Sequence, residues 1–402
     1  LLTQVSLKKN LKVSNNNQHT PVIRQYLNIK EKHPDSFLFF RMGDFYELFF
    51  EDAEEASKIL NISLTTRGKS AGNSVLLAGF PVHSSAIYIK KLIAAGKSIA
   101  VCEQIGDSEN SRGLVERKVI RTITAGTILD EELLSEENQT YVASLDINGG
   151  ISWCEVATGD LYWKKLEKID NFDAFLDQLK DIFSKHNIVE LILSDKQNEN
   201  FNLTKETLNK VFLKKDKYIN KKIINRPFWE FDSQNAISLL KKRIGLYTET
   251  LDLKNNESVL CSINALITYI EKNIGQEICY LRKPQEEFSD SFIKIDSVSQ
   301  NSLELVSPLL QNNENSTLLS CLDICKTSSG SRKLKTWILS PLLDNQQIIN
   351  RQLGIEWLSK NMEVRSLLKG INDISRKAAR ISLGKISPKE LISLAQNINK
   401  IK

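Results

Sequence analysis

The sequence predicts an α/β multidomain protein in which two mixed α/β domains precede an all-helical segment. Apolar runs of strand type alternate with helical patterns over the first half of the chain. Two turn signals, Gly43-Asp44 and Asn148-Gly149-Gly150, lie between such runs, as in β-hairpins. From about residue 232 the helical pattern takes over. A chain of 402 residues has room for about two to four domains with separate cores.

Composition excludes several classes of protein. The 41% hydrophobic and 26% charged residues are typical of soluble proteins, and no apolar run has the length of a membrane span. The six cysteines are scattered and form no Cys-x-x-Cys pair, so we expect reduced thiols and a cytoplasmic location. The net charge is +5, and residues 1–130 carry 17 Lys and Arg against 13 Asp and Glu. This local surplus suits a phosphate-facing domain but does not establish one.

The first domain begins after a polar tail over 1–19. Thr20 is a predicted N-cap and Pro21 the first residue of a helix that ends near 33–34. The hairpin around Gly43-Asp44 follows, and then an acidic-start helix over 51–60. The pattern continues with a strand end running into a flexible basic loop (64–73), a helix (84–95) and a strand (98–103). These elements predict one compact α/β domain.

The residues just after the Gly43-Asp44 turn have an unusual arrangement. Phe45 and Glu47 stand two residues apart on a strand, so both side chains project from one face. By spacing alone, a core phenylalanine and a solvated glutamate are the commoner outcome. The alternative is an apolar wedge that enters between base steps from the minor groove, beside an acceptor for the displaced base.

A polar, acidic segment over 131–140 separates this domain from the next. Strand patterns flank Asn148-Gly149-Gly150, and a helix (172–183) and a buried strand (189–193) complete a second α/β domain. The Lys- and Asn-rich residues 196–225 allow no structural prediction. A helix is predicted over 263–274. Further helices are predicted over 296–305, 318–325, 332–339, 345–360 and 388–401. The predicted domains are therefore 20–132, 138–262 and 285–402.

The sequence around the hairpin resembles the MutS family of DNA mismatch-repair proteins. The most specific signal is the Phe45-Tyr46-Glu47 element following Met42-Gly43-Asp44. The resemblance extends from about Thr20 to the end of the chain and is weakest between roughly 195 and 285. It is carried by the segments 20–27, 38–47, 64–68, 78–83, 101–104, 115–119, 301–305, 327–334 and 337–342.

The resemblance implies a mismatch-recognition domain, an RNase H-like α/β connector and an incomplete all-α lever or core domain. It assigns Phe45 as the wedge that stacks on a mispaired base and Glu47 as an acceptor for that base. It places DNA-backbone contacts at Arg67, Lys69 and Ser70, which would position the duplex without reading its sequence. A carboxylate near phosphates is unfavourable on intact duplex, so Glu47 would also disfavour normal DNA.

Two further DNA-binding candidates are Arg117 and Lys118, while Arg41 could instead pair with a local acid. The sequence departs from the family at Ala125, where the family usually has proline, and at Val82, where it often has an aromatic residue. We expect these departures to affect local packing rather than function.

The chain is expected to have no catalytic, cofactor or metal residues of its own. Gly68-Lys69-Ser70 and Gly96-Lys97-Ser98 imitate a phosphate-binding loop, but neither has the required glycine five residues before the Gly-Lys pair. Since the chain starts at Leu1 and stops within the third domain, we expect it to be incomplete. The resemblance implies a complete protein that is a homodimeric ATPase using ATP and Mg²⁺. It would bind mismatched double-stranded DNA and a MutL-type partner, and no membrane.

Two alternatives remain open from the sequence. A family relative that binds DNA junctions or recombination intermediates would share the helical core, but should lack the Phe45 and Glu47 tip. A metal-dependent nuclease could use Asp146, Glu155 and Asp160 in the second domain. These acids lie on or just after one hairpin, where polar residues are expected in any case.

Overall fold

The computed structural model describes residues 19–70, 72–106, 115–135, 139–166, 172–198, 212, 221–245, 253, 255–287, 291–309 and 316–401. The predicted tail lies outside the described residues except for His19, and so does most of 196–225. The chain divides into two compact units, Leu1–Thr124 and Ala125–Lys402.

The first unit is a six-stranded mixed sheet with three helices. The strand order is β3-β4-β2-β1-β5-β6, with β1 and β5 parallel and the other neighbours antiparallel. The strands are β1 (Ser36–Met42), β2 (Phe45–Phe49), β3 (Thr65–Ser70), β4 (Asn73–Pro81), β5 (Ser98–Ile105) and β6 (Glu116–Ile123). The helices are α1 (Pro21–Lys32), α2 (Phe50–Leu60) and α3 (Ser85–Ala94).

Local sequence signals place several of these elements correctly. Helix α1 begins at Pro21 as predicted, although the Thr20 side chain makes no capping hydrogen bond. The β1–β2 hairpin forms around Gly43-Asp44. Over 64–73 the predicted strand end is correct, but the predicted basic loop begins too early, because strand β3 continues to Ser70 and pairs antiparallel with β4. Its polar side chains are compatible with a strand since β3 lies at the edge of the sheet.

Aromatic side chains fill both faces of this sheet. On one face, Tyr26 of α1 makes edge contacts with Phe40 and Phe49 at ring-centroid distances of 5.5 and 4.9 Å. On the other, Phe39 packs against Phe80 at 5.0 Å, and Phe80 stacks on Tyr88 of α3 at 4.3 Å. Such pairs each contribute about 0.5–1.5 kcal/mol beyond area burial. The hairpin therefore rises from a core that is packed on both sides.

A buried carboxylate joins the helices to this sheet. Asp52 of α2 accepts hydrogen bonds from the Tyr26 hydroxyl (3.1 Å), the Lys30 ammonium (2.8 Å) and the Leu38 backbone N–H (3.0 Å). One side chain thus accepts hydrogen bonds from a phenol, a cation and a strand amide, while Tyr26 and Lys30 also donate to the Phe49 and Ser36 carbonyls. This fixes α1 and α2 against β1, the first strand of the hairpin.

The second unit contains another six-stranded sheet, ordered β11-β10-β7-β8-β9-β12. Strands β7, β8 and β9 are antiparallel, whereas β10 runs parallel to β7 and β11, and β12 parallel to β9. The strands are β7 (Tyr141–Leu145), β8 (Gly150–Glu155), β9 (Asp160–Lys165), β10 (Ile188–Ser194), β11 (Lys222–Arg226) and β12 (Gln285–Glu286). The helices before β12 are α4 (Phe172–Lys185), α5 (Ser233–Ile244) and α6 (Glu257–Ile274).

Helix α6 belongs to the core of this sheet. It begins at Glu257 rather than at the predicted 263, and its apolar side chains pack with strand residues such as Val142 and Trp163. Gly150 permits the approach, because a Cβ there would lie 2.1 Å from the Ser258 carbonyl carbon. The predicted domain end at 262 therefore falls inside a helix that packs against the sheet.

The remaining described residues are mainly helical, as predicted. Helix α10 has the predicted bounds, α9 begins four residues before the predicted 332, and the sequence did not indicate α11 and α12. The helices are α7 (Ser297–Ser302), α8 (Leu318–Leu322), α9 (Ser328–Leu339), α10 (Asn345–Lys360), α11 (Glu363–Leu367), α12 (Ile374–Ser382) and α13 (Pro388–Ile401). Side chains of Asp296, Thr317, Thr327, Asp344 and Asp373 accept backbone N–H bonds at the N-termini of α7, α8, α9, α10 and α12. Among the described residues, no helix is both long and apolar enough to cross a membrane.

A buried charge cluster joins helix α12 to the second sheet. The Arg376 guanidinium lies 3.6 Å from the Glu155 carboxylate at the end of β8 and 3.5 Å from Asp373, and it donates to the Ser135 carbonyl at 2.7 Å. Arg332 of α9 also pairs with Asp373. Glu155 is only 1% exposed, so its charge depends on these partners.

The acidic segment predicted as a boundary also contacts this helix. Glu131 pairs with Arg380 of α12 at 2.9 Å, and Arg380 pairs in turn with Glu390 of α13. Within the described residues, which omit 136–138, this segment is therefore attached to the helices and is not a free linker.

Candidate nucleic-acid interface

The candidate interface is centred on the tip of the β1–β2 hairpin. Met42 pairs with Phe45, so Gly43 and Asp44 form a two-residue turn, and Gly43 has φ +60°. Positive φ at this position is what tight hairpin turns require and what glycine allows. The Val82 backbone N–H donates to the Asp44 carbonyl at 2.9 Å, which ties the turn to the end of β4.

Phe45 is the exposed aromatic side chain of this tip. It is 47% exposed, whereas Tyr46 and Leu48 on the same strand are buried. Phe45 is therefore not a core residue, although spacing alone favoured that outcome. A large apolar side chain held in water by a well-packed hairpin is available for insertion into a partner.

Glu47 lies on the same strand but is much less accessible. Its side chain is 13% exposed, and both carboxylate oxygens accept from Nη1 of Arg67, at 2.9 and 3.2 Å. Burial raises the pKa of Glu47, while the positive charges of Arg67 and Arg117 act in the opposite direction. The sequence predicted the position of this carboxylate but not its partner.

A β-bulge brings Arg67 to that carboxylate. The register between β3 and β4 shifts between Thr66 and Lys69, and Gly68 has φ +63°. Arg67 and Gly68 thus lie outside the regular ladder, a geometry that redirects a side chain. The Arg67 side chain is 61% exposed, so its guanidinium contacts Glu47 on one side and solvent on the other.

The other two candidates on β3 differ from each other. Lys69 is exposed, as a phosphate contact requires. Ser70 is buried, and its hydroxyl hydrogen-bonds Nδ1 of His19 at 2.9 Å. We therefore leave the Ser70 side chain out of the interface, because it already has a partner inside the unit.

Arg117 is also buried, and its guanidinium is held by groups of the first unit. Its guanidinium donates to the Arg41 carbonyl (2.7 Å), the Gln25 side-chain oxygen (3.0 Å) and the Val115 carbonyl (3.0 Å), and it lies 4.9 Å from the Phe40 ring centroid. Burial lowers the pKa of Arg117. These contacts support β1 behind the tip, so we leave Arg117 out of the interface as well.

Lys118 follows Arg117 on β6 and points to the opposite face, where it is exposed. It pairs in register with Glu103 of β5. The structure does not bring Lys118 into contact with Phe45, Glu47 or Arg67, so its part in DNA binding stays a prediction.

Arg41 pairs with a local acid, as the sequence allowed. Its guanidinium lies 3.5 Å from Glu103, and the Tyr46 hydroxyl donates to the same carboxylate. The Arg41 Nε also donates to the Gly43 carbonyl in the turn. Sequence reasoning did not identify Glu103 or Tyr46 as supports of the tip, because no local spacing links strand β5 to the hairpin.

Gly79 of β4 gives a first stability prediction. It pairs with Glu47, and a Cβ there would lie 2.9 Å from the Tyr46 carbonyl oxygen and 3.5 Å from Glu47 Cγ. Since the backbone oxygen cannot rotate away, we expect Gly79→Ala to lower the free energy of unfolding by about 1–3 kcal/mol. Amide exchange of β2 and β4 would measure the change.

Gly354 is the matched control for this substitution. It lies in helix α10 with no atom within 4 Å of a built Cβ, so Gly354→Ala should stabilise by about 0.5–1 kcal/mol. Unchanged exchange in Gly79→Ala would show that the close approach of β2 and β4 does not require glycine.

The nuclease alternative has no geometric support. Glu155 and Asp160 face each other at one end of the β8–β9 pair, whereas Asp146 lies beyond the other end of β8, a six-residue strand. At about 3.4 Å per residue this places Asp146 roughly 17 Å away, far more than a shared metal site permits. Asp160 pairs with Arg282 at 2.9 Å. In the described part of the chain, no group of three His, Cys, Asp or Glu side chains could hold a metal ion.

These observations define a class before any comparison. The first unit presents an exposed aromatic side chain and a neighbouring carboxylate on one hairpin, and exposed basic residues at the β3 bulge. Such a surface is typical of a protein that binds nucleic acid. The second unit supplies another α/β sheet and a series of helices.

Three protein-family domains match consecutive parts of the chain. Residues 20–132 match MutS domain I, residues 135–281 match MutS domain II, and residues 298–402 match MutS domain III. These three matches cover most of the chain, and the chain belongs to the MutS family. The family assigns it to DNA mismatch repair and to the binding of mismatched DNA.

Proposed function

We propose that this chain recognises mispaired or unpaired bases in duplex DNA by inserting Phe45 from the minor groove and kinking the duplex. The observation that carries the proposal is the exposure of Phe45 at the tip of a hairpin whose other aromatic side chains are buried. An apolar side chain that inserts between base steps partly unstacks them and bends the DNA.

This mechanism depends on the weaker pairing and stacking that all mismatches share. A mispaired base is less well paired and stacked, so displacing it costs less than displacing a normal base. Unstacking costs about a few kcal/mol per step. If a mismatch saves roughly 1.4 kcal/mol of that cost, binding tightens about tenfold.

The residues near Phe45 would contact either the displaced base or the phosphates. Glu47 accepts a hydrogen bond from the displaced base, while Arg67 and Lys69 contact phosphates and hold the duplex in register. Phosphate contacts of this kind add affinity without sequence preference and weaken with salt. Lys118 is an exposed cation and is kept as a further phosphate contact on the family resemblance, although the strand registers place it on the opposite face of the sheet from Glu47.

Other parts of the proposal rest on the family. The strand order of the second sheet, with an antiparallel β7–β8–β9 meander continued by parallel strands β10 and β11, supports an RNase H-like connector. We propose that the complete family protein couples mismatch binding to ATP and Mg²⁺ in a separate ATPase domain. It would act as a homodimer and recruit a MutL-type partner.

Competition binding tests the proposal directly. The chain would bind a labelled G·T heteroduplex while unlabelled heteroduplex, matched duplex or four-way junction competes. We expect the heteroduplex to compete about tenfold better than the matched duplex, and Phe45→Ala to abolish this preference while keeping salt-sensitive binding to both duplexes.

Ile120→Ala is the matched control, because Ile120 on β6 is also 47% exposed. It should leave the preference unchanged. If wild type binds neither duplex or both alike, or if Phe45→Ala keeps the preference, mismatch recognition by this wedge is wrong. Stronger competition by the junction would favour the junction-binding alternative instead.

A further inference from the structure

We infer that Arg67 masks Glu47 in the free protein and releases it only when a phosphate group takes over the Arg67 guanidinium. This inference rests on the proposed function. It adds a control step, in which a backbone phosphate and a displaced base together make the Glu47 carboxylate available.

Of the two partners, Arg67 is the more exposed to solvent, as the inference requires. The Glu47 side chain is 13% exposed and the Arg67 side chain 61% exposed. A single nitrogen, Nη1, makes both hydrogen bonds to the carboxylate. A guanidinium has five N–H donors, so Arg67 can engage a phosphate on its solvent side before it leaves Glu47.

The local backbone permits this exchange. Arg67 and Gly68 form the bulge of β3, and Gly68 adopts the left-handed φ that glycine tolerates best. Because these residues lie outside the ladder, Arg67 can change partner without breaking the strand pairing on either side. Because the Arg67 member of this ion pair is exposed to solvent, phosphate oxygens can compete for its guanidinium.

The surroundings of Glu47 favour one partner at a time. Arg117, the other cation that acts on Glu47, is held by Arg41, Gln25 and Val115 and stays in place. When Arg67 moves to a phosphate, the half-buried carboxylate therefore loses its direct hydrogen-bond donor. A displaced base can supply a new donor, whereas a stacked base in matched duplex cannot.

The masking step has a specific consequence for matched DNA. A matched duplex also presents phosphates but offers Glu47 no new hydrogen-bond donor, so there Arg67 stays on Glu47 and shields the phosphates from a bare carboxylate. Removing Arg67 should therefore weaken binding to matched duplex more than binding to heteroduplex, since only the heteroduplex offers Glu47 a new donor. We expect the heteroduplex preference of Arg67→Ala to rise by at least about threefold.

A double-mutant cycle tests this expectation with the full chain. The variants are Arg67→Ala, Glu47→Gln and the double variant, with Lys69→Ala as the control for loss of an exposed cation on the same strand. Lys69→Ala should weaken binding to both duplexes by the same factor. The effect of Arg67→Ala on the heteroduplex preference should disappear in the Glu47→Gln background, because the neutral amide does not repel phosphates.

The inference would be overturned if the effect of Arg67→Ala did not depend on Glu47. If Arg67→Ala lowers both affinities by the same factor, as Lys69→Ala does, or acts equally with and without Glu47→Gln, Arg67 is only a phosphate contact. Failure of the proposed function would appear separately, as retention of mismatch preference by Phe45→Ala.

A spectroscopic measurement applies even if a variant binds DNA poorly. Carboxyl ¹³C titration of the free chain, with Glu47 assigned by its loss in Glu47→Gln, should show a higher Glu47 pKa in Arg67→Ala than in wild type. Arg67→Gln serves as a second variant if the alanine protein fails to fold. An unchanged Glu47 pKa in both would show that the mask is absent in solution and would overturn the inference.

Discussion

Replacing Arg376 by alanine should lower the free energy of unfolding of the second unit by about 3–5 kcal/mol. The substitution removes the cation nearest to Glu155, which is 1% exposed, and leaves the Ser135 carbonyl without this donor. Losing one partner of a buried ion pair is costly because the remaining charge is left in a low dielectric. Asp373 keeps Arg332 as a partner, so the main penalty falls on Glu155.

Tryptophan fluorescence during urea unfolding measures this effect in the correct unit, since all five tryptophans lie within residues 153–357. Lys333→Ala is the control. It removes one positive charge from an exposed position next to Arg332 and should change stability by less than about 0.5 kcal/mol. Equal urea midpoints for wild type and Arg376→Ala would show that the buried cluster does not stabilise the unit.

The same cluster predicts a pH dependence. Burial raises the pKa of Glu155 despite hydrogen bonds from Gln139 and Thr158 and the charges of Arg376 and Arg332. The folded state thus binds this proton more tightly than the unfolded state, whose glutamate pKa is about 4.3. The stability that Glu155 contributes by binding this proton is therefore fully present below the unfolded-state pKa. It is lost as the pH rises through the pKa of Glu155 in the folded state.

The stability of wild type relative to Glu155→Gln should therefore increase as pH falls from 7 towards 4.3. The glutamine variant has no carboxyl proton at this site, so the difference between the two proteins isolates Glu155 from other titrating groups. A difference that is constant with pH would contradict the raised pKa.

Asp52→Ala is expected to lower the unfolding free energy of the first unit by about 2–4 kcal/mol, because the buried Leu38 amide loses its side-chain acceptor and Tyr26 and Lys30 each lose one of two acceptors. It leaves the Tyr26 hydroxyl, the Lys30 ammonium and the Leu38 amide without their shared acceptor. These groups lie where α1 and α2 meet β1, so the hairpin should lose its support. Mismatch preference should then weaken without any change at Phe45.

Amide exchange of β1 and β2 is the suitable measurement, because the first unit contains no tryptophan. Glu51→Ala is the control, since Glu51 is an exposed acid in the first turn of the same helix. Losing its interaction with the helix dipole should cost only about 0.3–1 kcal/mol. Equal exchange in Asp52→Ala and Glu51→Ala would contradict a central role for the buried carboxylate.

The sequence by itself determined the elements that adjacent residues encode. Gly43-Asp44 between apolar runs was sufficient for the hairpin, and Pro21 for the start of α1. The spacing of Phe45 and Glu47 placed both on one face of a strand, because the side-chain period of a strand is two residues. The family resemblance added the wedge assignment, which periodicity could not supply.

Only the tertiary structure decided which of these side chains are accessible and what they contact. Arg117 and Lys118 are adjacent basic residues, yet one is buried and the other exposed. Helix α6 is joined to the second sheet because Gly150 admits it, and Arg67 reaches Glu47 through a bulge 20 residues along the chain. Register, burial and ion pairing depend on segments far apart in sequence, so no local pattern could reveal them.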